Sequence, residues 1–414
     1  MQGARQLLRR MVQDRKGSVV SMTALMMPVL IGAAGMASDT IQWTLTKRMM
    51  QRAADSGAVA GAYALSQSAD VQAAATNDIT RNGGFRMTVN PVINSPARSG
   101  SFRDAASAVE VILATDMDLP FTGLVMDGPV RVSARAVAEI VGNGDYCVLA
   151  LENTNTTGIP IGGNATVNLG CGMMSNAPST SSVIASGSSY VTASPVAAVG
   201  GVPPGNYAPG TERQQYALPL RDPYRNLPDP NITVNGSNNN VGSNQTRTLN
   251  PGTYSSMDIQ GTAVLLPGTY FITGNMRIGS KARVTGAGVT LVFTARNAAS
   301  NTGSIATIDI NGGATINLSA PSTGTYAGIL MYQDRRASTM ATNRINGNSF
   351  SSFQGAFYFP RQLLSFNGTS GMNTNCVQIV ARQVDWRGNT VINNVCPPAS
   401  GASSFKGTQI KLVA

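Results

Sequence analysis

Two distant segments of the chain carry nearly the same eleven residues. One runs from Ile159 to Leu169 (IPIGGNATVNL) and the other from Ile308 to Leu318 (IDINGGATINL). Weaker copies begin at Met257, Met276, Leu364 and Val384. Each copy reads as two short strands with apolar residues at alternate positions, hinged at Gly or Asn. The spacing of the weaker copies predicts a repeating unit of roughly 20 residues.

A single copy cannot bury its apolar side, whereas copies stacked about 4.8 Å apart form a continuous core and pair every strand. The second half of the chain is therefore predicted to be an all-β, right-handed parallel β-helix. Its first coils are expected over residues 145–200 and its main body over 251–414, with a Pro/Asn-rich excursion or linker over 201–250. A β-sandwich with frequent Gly/Asn turns is the alternative, but it does not require nearly identical units.

The four cysteines have the same spacing as the repeat. Cys147 precedes Cys171 by 24 residues, and Cys376 precedes Cys396 by 20. Residues one coil apart are one strand spacing apart, which a disulfide can bridge. We therefore predict Cys147–Cys171 and Cys376–Cys396 bridges, formed in an oxidising periplasm. The chain has no CxxC pair and no His, which argues against a zinc site.

The N-terminus has the charge pattern of a membrane anchor. Residues 1–16 carry five basic side chains and one acidic side chain, and are predicted to be cytoplasmic. Residues 17–38 contain no ionisable side chain, and as a helix they are long enough to cross the hydrocarbon core of a bilayer. The alternative is a cleaved signal peptide, because Gly35 and Ala37 would permit cutting before Ser38.

Residues 39–141 are predicted to form a helical stem and a small antiparallel sheet. Apolar residues continue the helix to about Ser66, and a second helix starts near Ala69 and stops at Asn82-Gly83-Gly84. Residues Val130–Ile140 alternate as a strand with one buried side. The stem carries a stripe of Ala and Gly, which either packs on its own sheet or forms a helix–helix contact between subunits.

The run from Asp14 to Leu65 resembles the N-terminal domain of TadE/TadG-like proteins of the Flp, or tight-adherence, pilus system. It has a basic-Gly start, an apolar run with a central Pro, an Asp after the membrane segment, a basic pair and an Ala-rich AAD segment, in that order. The resemblance implies a small α+β pilin-like domain behind the transmembrane helix. Prepilin-like members have Glu five residues after the processing glycine, where this chain has Met22.

The composition excludes several kinds of catalysis. Without His, no Ser-His-Asp, Cys-His or His-metal arrangement is available. Asp258, Asp309 and Asp385 occupy the second position of their repeat copies and could form a ladder, but they are expected to be too far apart for paired-carboxylate chemistry. Asp334, followed by two Arg residues, is interpreted as a turn-capping carboxylate. No enzyme activity, catalytic residue, metal or cofactor is predicted.

The expected function is structural. The resemblance implies a single-pass bacterial inner-membrane protein, with a cytoplasmic N-terminus and most of the chain in the periplasm, that contacts other pilus-assembly proteins in adhesion or pilus biogenesis. The net charge of +10 is dispersed, and neither nucleic acid nor a small-molecule substrate is expected. A secreted β-helix polysaccharide-active enzyme and a surface adhesin are the alternatives.

Overall fold

The computed structural model describes residues 18–124, 126–368, 371–389, 391–394 and 405–414. The chain divides into two compact units. Unit 1 comprises residues 1–141 and 410–414, and unit 2 comprises residues 142–409.

Unit 1 begins with two helices. Helix α1 runs from Ser18 to Ser66 and contains Pro28. Helix α2 runs from Val71 to Asn82, and the carboxylate of Asp70 caps its first turn by accepting a hydrogen bond from Ala73 N at 3.1 Å. Both helices end where the sequence predicted, and α2 is followed by Gly83.

The sheet of unit 1 is antiparallel. It consists of β1 (Val92–Asn94), β2 (Ala108–Met117) and the first part of β3 (Val130–Ala150). Strand β2 pairs with β3 along its whole length, from Ala108 opposite Glu139 to Met117 opposite Val130. The end of the chain returns to this unit, where Val413 N donates to Val137 O at 2.9 Å. The predicted small antiparallel sheet is therefore present.

The Ala/Gly stripe of α1 is buried within unit 1. Ala54, Ala58 and Ala62 have no exposed surface and pack with α2 and the sheet. A Cβ at Gly57 would meet the side chain of Ile79 at 2.6 Å, and one at Gly61 would meet Val109 at 2.9 Å. The small residues thus let α2 and β2 approach the helix closely. Of the two interpretations of this stripe, the structure shows packing on its own sheet.

The described part of unit 2 is built of strands, most of them short. They are β4 (Ile159–Ile161), β5 (Thr166–Asn168), β6 (Gly172–Ser175), β7 (Val183–Ala185), β8 (Tyr190–Thr192), β9 (Val196–Ala198), β10 (Arg213–Gln214), β11 (Ser237–Val241), β12 (Thr246–Leu249), β13 (Gly252–Ile259), β14 (Thr262–Leu265), β15 (Gly268–Ile272), β16 (Met276–Ile278), β17 (Arg283–Gly286), β18 (Val289–Phe293), β19 (Ile308–Ile310), β20 (Thr315–Ser319), β21 (Ile329–Gln333), β22 (Thr342–Ile345), β23 (Ser352–Gly368), β24 (Gly371–Gly388), β25 (Val391–Asn394) and β26 (Phe405–Leu412). Short 3₁₀ turns occur at Gly100–Phe102 and Thr122–Leu124 in unit 1 and at Thr302–Ser304 in unit 2.

The strands of unit 2 pair in parallel from one coil to the next. Strand β16 pairs with both β13 and β19, β17 with both β14 and β20, and β18 with both β15 and β21. The strand pairs of this unit are parallel throughout the residues that the structure describes, unlike the antiparallel sheets of the sandwich alternative. Side chains inside the coils form one large apolar core.

The predicted repeat starts align in one ladder. Met257 pairs with Met276, and Met276 pairs with Ile308. Further along, Leu364 pairs with Val384, and Ile161 of the copy that begins at Ile159 pairs with Trp386. The ladder also contains three positions that the sequence pattern did not reveal, Val183, Asn239 and Asn343. The eleven-residue units are therefore equivalent positions on successive coils.

The order of coils along the stack differs from their order in the chain. The late strand β24 pairs with the early strand β3, with Ile379 opposite Val148, and β25 pairs with β5. The coils of residues 237–394 thus come first in the stack, followed by those of residues 146–214. Strands β10 and β11 consequently lie at opposite ends of the stack, although they are close in sequence.

The segment between β10 and β11, residues 215–236, connects the two ends. We call it the strap. Its hydrogen bonds follow the coils in order, from Asn176 at Leu220, through Gln378 at Tyr224, to Asn297 at Ile232. A parallel strand order of this kind requires a long return connection, and prolines suit it because they need no ladder donor. The predicted excursion over 201–250 also contains the coil strands β11 and β12.

Candidate functional site

The three predicted ladder carboxylates lie on one row of unit 2, but arginines separate them. Successive coils place these residues opposite one another along the row: Asp258, Arg277, Asp309, Arg344, Ser365 and Asp385. Asp258 and Asp309 are thus two coils apart, about 10 Å at the usual strand spacing. Arg344 pairs with Asp309 at 3.6 Å on the surface. The row is a column of alternating charge rather than a pair of acids facing one bond.

Asp385 is the most buried acid of this row. Burial raises the pKa of its carboxyl, and the neighbouring Arg387 opposes that shift. The guanidinium Nε of Arg387 donates to both carboxylate oxygens at 2.9 Å. The carboxylate is engaged by an arginine of its own strand, which is a structural pairing.

Asp334 is fully buried and holds Arg336. Its oxygens accept hydrogen bonds from Thr294 Oγ1 at 2.7 Å and from Arg336 Nε at 2.8 Å. Its backbone C=O accepts from Ala337 N at 3.0 Å, which closes a turn. The structure therefore agrees with the interpretation of Asp334 as a turn-capping carboxylate paired to Arg.

The two arginines after Asp334 bind the strap. Arg335 donates to the carbonyl oxygens of Tyr224, Arg225 and Leu227, and Arg336 Nη2 donates to Pro230 O at 2.5 Å. Arginine suits this task because its guanidinium presents several donors in a fixed plane. Sequence reasoning identified Asp334 as distinctive but did not reveal what the arginines hold.

A column of tyrosines lies under the strap. Tyr332 and Tyr358 stack with ring centroids 5.4 Å apart, and Tyr224 of the strap meets Tyr358 edge-on at 5.4 Å. The hydroxyl of Tyr358 donates to Asp222 of the strap at 2.6 Å. Burial raises the pKa of Tyr332 to about 12, so it remains a neutral donor at physiological pH. The column anchors the strap.

An ion pair joins the early and late coils of the chain. The carboxylate of Glu152, only 2 % exposed, accepts a hydrogen bond from Arg382 Nη1 at 2.6 Å. Burial opposes ionisation of Glu152. However, hydrogen bonds from Thr154 and Asn153, together with the charge of Arg382, outweigh burial and lower its pKa. Trp386, also at this junction, is fully buried and stacks on Phe366 at 5.9 Å.

The early coils also contain a disulfide. Cys147 and Cys171 are bonded, with Cα atoms 5.9 Å apart; Cys147 lies in β3, and Cys171 directly precedes β6, which pairs with β3. Cys396 and the side chain of Cys376 lie outside the described residues. Among the residues that the structure describes, no cluster of three or more His, Cys, Asp or Glu side chains could hold a metal ion.

Glu110 of unit 1 is a buried acid that its neighbours keep ionised. Burial of Glu110 opposes its ionisation, but hydrogen bonds from the Ser99 hydroxyl, Arg98 N and Asn94, together with Arg135, lower its pKa to about 2. The Arg135 guanidinium lies 2.7 Å from the carboxylate. This pair ties the loop after β1 to β2 and β3. Sequence alternation places both residues in strands, but it does not show that they face the same side.

The first part of α1 is apolar and exposed. Val20, Leu25 and Val29 are each at least 65 % exposed, although they are large apolar side chains. The helix is long and apolar enough to span a membrane over Met22–Ser66, and only 11 % of its most apolar window is buried. The helix of a soluble core would be mostly covered. This segment is therefore a candidate membrane anchor.

Residues 17–75 match the family model for TadE/G-like Flp pilus-assembly proteins. The matched region covers α1 and the start of α2, so it contains the apolar exposed helix and part of the stripe that packs on the sheet. This confirms the resemblance over that region. No curated protein and no solved structure matches the chain.

Proposed function

We propose that the protein is a non-enzymatic, membrane-anchored component of Flp/Tad pilus assembly that acts through protein–protein contacts in adhesion or pilus biogenesis. The observation that carries the proposal is the coincidence of the family match with α1, whose apolar side chains are exposed over the length of a bilayer. In this proposal, the rest of the chain provides a surface for protein contacts and does not catalyse a reaction.

The topology follows from charge and redox chemistry. The five basic side chains ahead of the apolar segment favour a cytoplasmic N-terminus, with the remainder of the chain exported. The Cys147–Cys171 bond fits an oxidising periplasm, because cytosolic thiols are kept reduced. Together these features support an inner-membrane protein with unit 2, and the part of unit 1 that follows the apolar segment, on the periplasmic side.

Unit 2 would act as the contact surface. We propose that its parallel coils wind as a right-handed β-helix, since nearly all parallel crossover connections have that hand. Its row of acids and arginines alternates in sign and is exposed at Asp309 and Arg344, which suits contacts with other proteins better than bond cleavage. The partners would be other pilus-assembly proteins and the inner membrane.

Deletion and complementation in the native bacterium test this proposal. Loss of the gene should reduce pili or surface adhesion, and the wild-type gene should restore them. A double variant, Asp309→Asn with Asp385→Asn, should restore them equally well if the acids have no catalytic role. Normal pili after deletion would contradict the proposal. Activity on acidic polysaccharides that disappears in the double variant would favour the enzyme alternative.

A further inference from the structure

The loop that joins β2 to β3 covers one side of α1 at the end of its uncharged segment. Asp39 accepts hydrogen bonds from Phe121 N at 2.9 Å, Thr122 N at 2.6 Å and Thr122 Oγ1 at 2.8 Å. One turn earlier, the ring of Phe121 lies against Gly35, where a Cβ would overlap it. Gly35 and Asp39 are buried, while the residues between them are exposed. The loop is thus fixed to this turn of the helix.

This turn lies at the edge of the segment that would occupy the bilayer. Gly35 is inside the run without ionisable side chains, about 6 Å before Asp39 along the helix axis. The three donors from the loop all bind one carboxylate oxygen of Asp39, Oδ2, which holds the loop to the helix at this point. Exposed apolar side chains continue beyond it at Ile41, Trp43 and Leu45. The loop therefore lies at the depth where acyl chains give way to headgroups.

The loop presents large apolar side chains that no described residue of unit 1 covers. Leu124 is 80 % exposed and Met126 is 58 % exposed. They stand beside a helix whose own apolar side chains are exposed in the same way. Asp118 and Asp127, at the two ends of the loop, are also exposed.

We propose that this loop is a second membrane contact, in which Leu124 and Met126 enter the outer part of the same leaflet that α1 crosses. The inference rests on the proposed membrane anchor and extends it. The occupant is the lipid bilayer, because the loop is fixed to the anchor helix at the bilayer edge and its exposed apolar side chains continue the apolar surface of that helix. Two contacts fix the rotation of α1 about its axis, which one helix alone does not. The loop therefore sets the orientation of unit 1 above the membrane.

Fluorescence quenching by brominated lipids tests this proposal on the full chain in lipid nanodiscs. Three single tryptophans are introduced on a Trp43→Phe background. Leu124→Trp reports the loop, and Ile31→Trp reports the anchor helix. Ser101→Trp is the matched control, since Ser101 is exposed at the other end of β2. The buried Trp386 contributes a constant background in all three proteins.

The proposal predicts that brominated lipid reduces emission from positions 31 and 124 and leaves position 101 unchanged. The emission of Leu124→Trp should also shift to shorter wavelength when the protein is transferred from aqueous buffer into lipid. Iodide, a water-soluble quencher, should then reduce this emission little. Quenching at 31 without quenching at 124 would overturn the loop contact while leaving the anchor intact. Absence of quenching at both positions would overturn the anchor, and the loop contact with it. Equal quenching at 101 and 124 would also contradict the proposal, because the contact would not be local to the loop.

Discussion

The Glu152–Arg382 pair should stabilise the junction between the early and late coils. Arg382→Ala leaves the carboxylate of Glu152 buried without its cation. Removing one partner of a fully buried pair costs roughly 3 to 5 kcal/mol. Arg382 is 26 % exposed, and Glu152 keeps hydrogen bonds from Asn153 and Thr154. We therefore expect a smaller loss, about 2 to 3 kcal/mol, at or just below the lower limit of that range.

Tryptophan fluorescence during thermal unfolding measures this effect. Trp386 pairs with Ile161 across the junction, so its emission reports separation of the two sets of coils. On a Trp43→Phe background, Arg382→Ala should lower the midpoint by roughly 5 to 10 °C for a unit of this size. Arg344→Ala is the matched control, because its pair with Asp309 is on the surface at 58 % and 48 % exposure. That variant should cost under about 1 kcal/mol.

A double variant tests whether the stability lost in Arg382→Ala comes from the unpaired charge of Glu152. Glu152→Gln combined with Arg382→Met removes both charges, and it should recover much of the stability lost in Arg382→Ala. If Arg382→Ala unfolds at the same temperature as Arg344→Ala, the junction does not depend on this pair and the reasoning is refuted.

Three further predictions concern other contacts. Glu110 has a pKa of about 2 in the fold against 4.5 when unpaired, so its ionised form stabilises unit 1 by about 3 kcal/mol. This contribution should be complete above pH 5 and should be lost as the pH falls from 4.5 through 2. In Glu110→Gln, the stability of unit 1 measured by circular dichroism should depend much less on pH over that range. Arg336→Ala should release the strap and speed proteolysis within residues 215–236, whereas Arg387→Ala should leave the cleavage rate there unchanged. Cys147→Ser with Cys171→Ser should cost about 3 kcal/mol, and reductant should then have no effect at that loop.

The repeat could be read from the sequence because its units keep the same residues at the same positions. Apolar residues at alternate positions and Gly/Asn hinges placed six copies correctly in one ladder. Three positions were missed: the copy at Val183 has a Ser-Gly-Ser hinge without Asn, and the copies at Asn239 and Asn343 begin with a polar residue. Asn343 is buried within an amide network with Gln333 and Gln362, where an apolar residue is expected.

The order of the coils could not be predicted. Neighbouring coils are usually adjacent in sequence, and nothing local indicates that β3 pairs with β24. The prolines of the strap suggested an excursion, but its direction depends on contacts such as Tyr358 with Asp222, which are 136 residues apart. Asp39 was visible as the first acid after the apolar run, yet its role depends on the fold of a loop more than 80 residues later.

Intact mass measurement of the protein in washed membranes from its own cells tests the central claim most directly. An anchored assembly component should be found in the membrane fraction with residues 17–38 retained and with the mass of the disulfide-bonded chain. A soluble form beginning at Ser38 would contradict the account, because the helix would then be a cleaved signal and not an anchor.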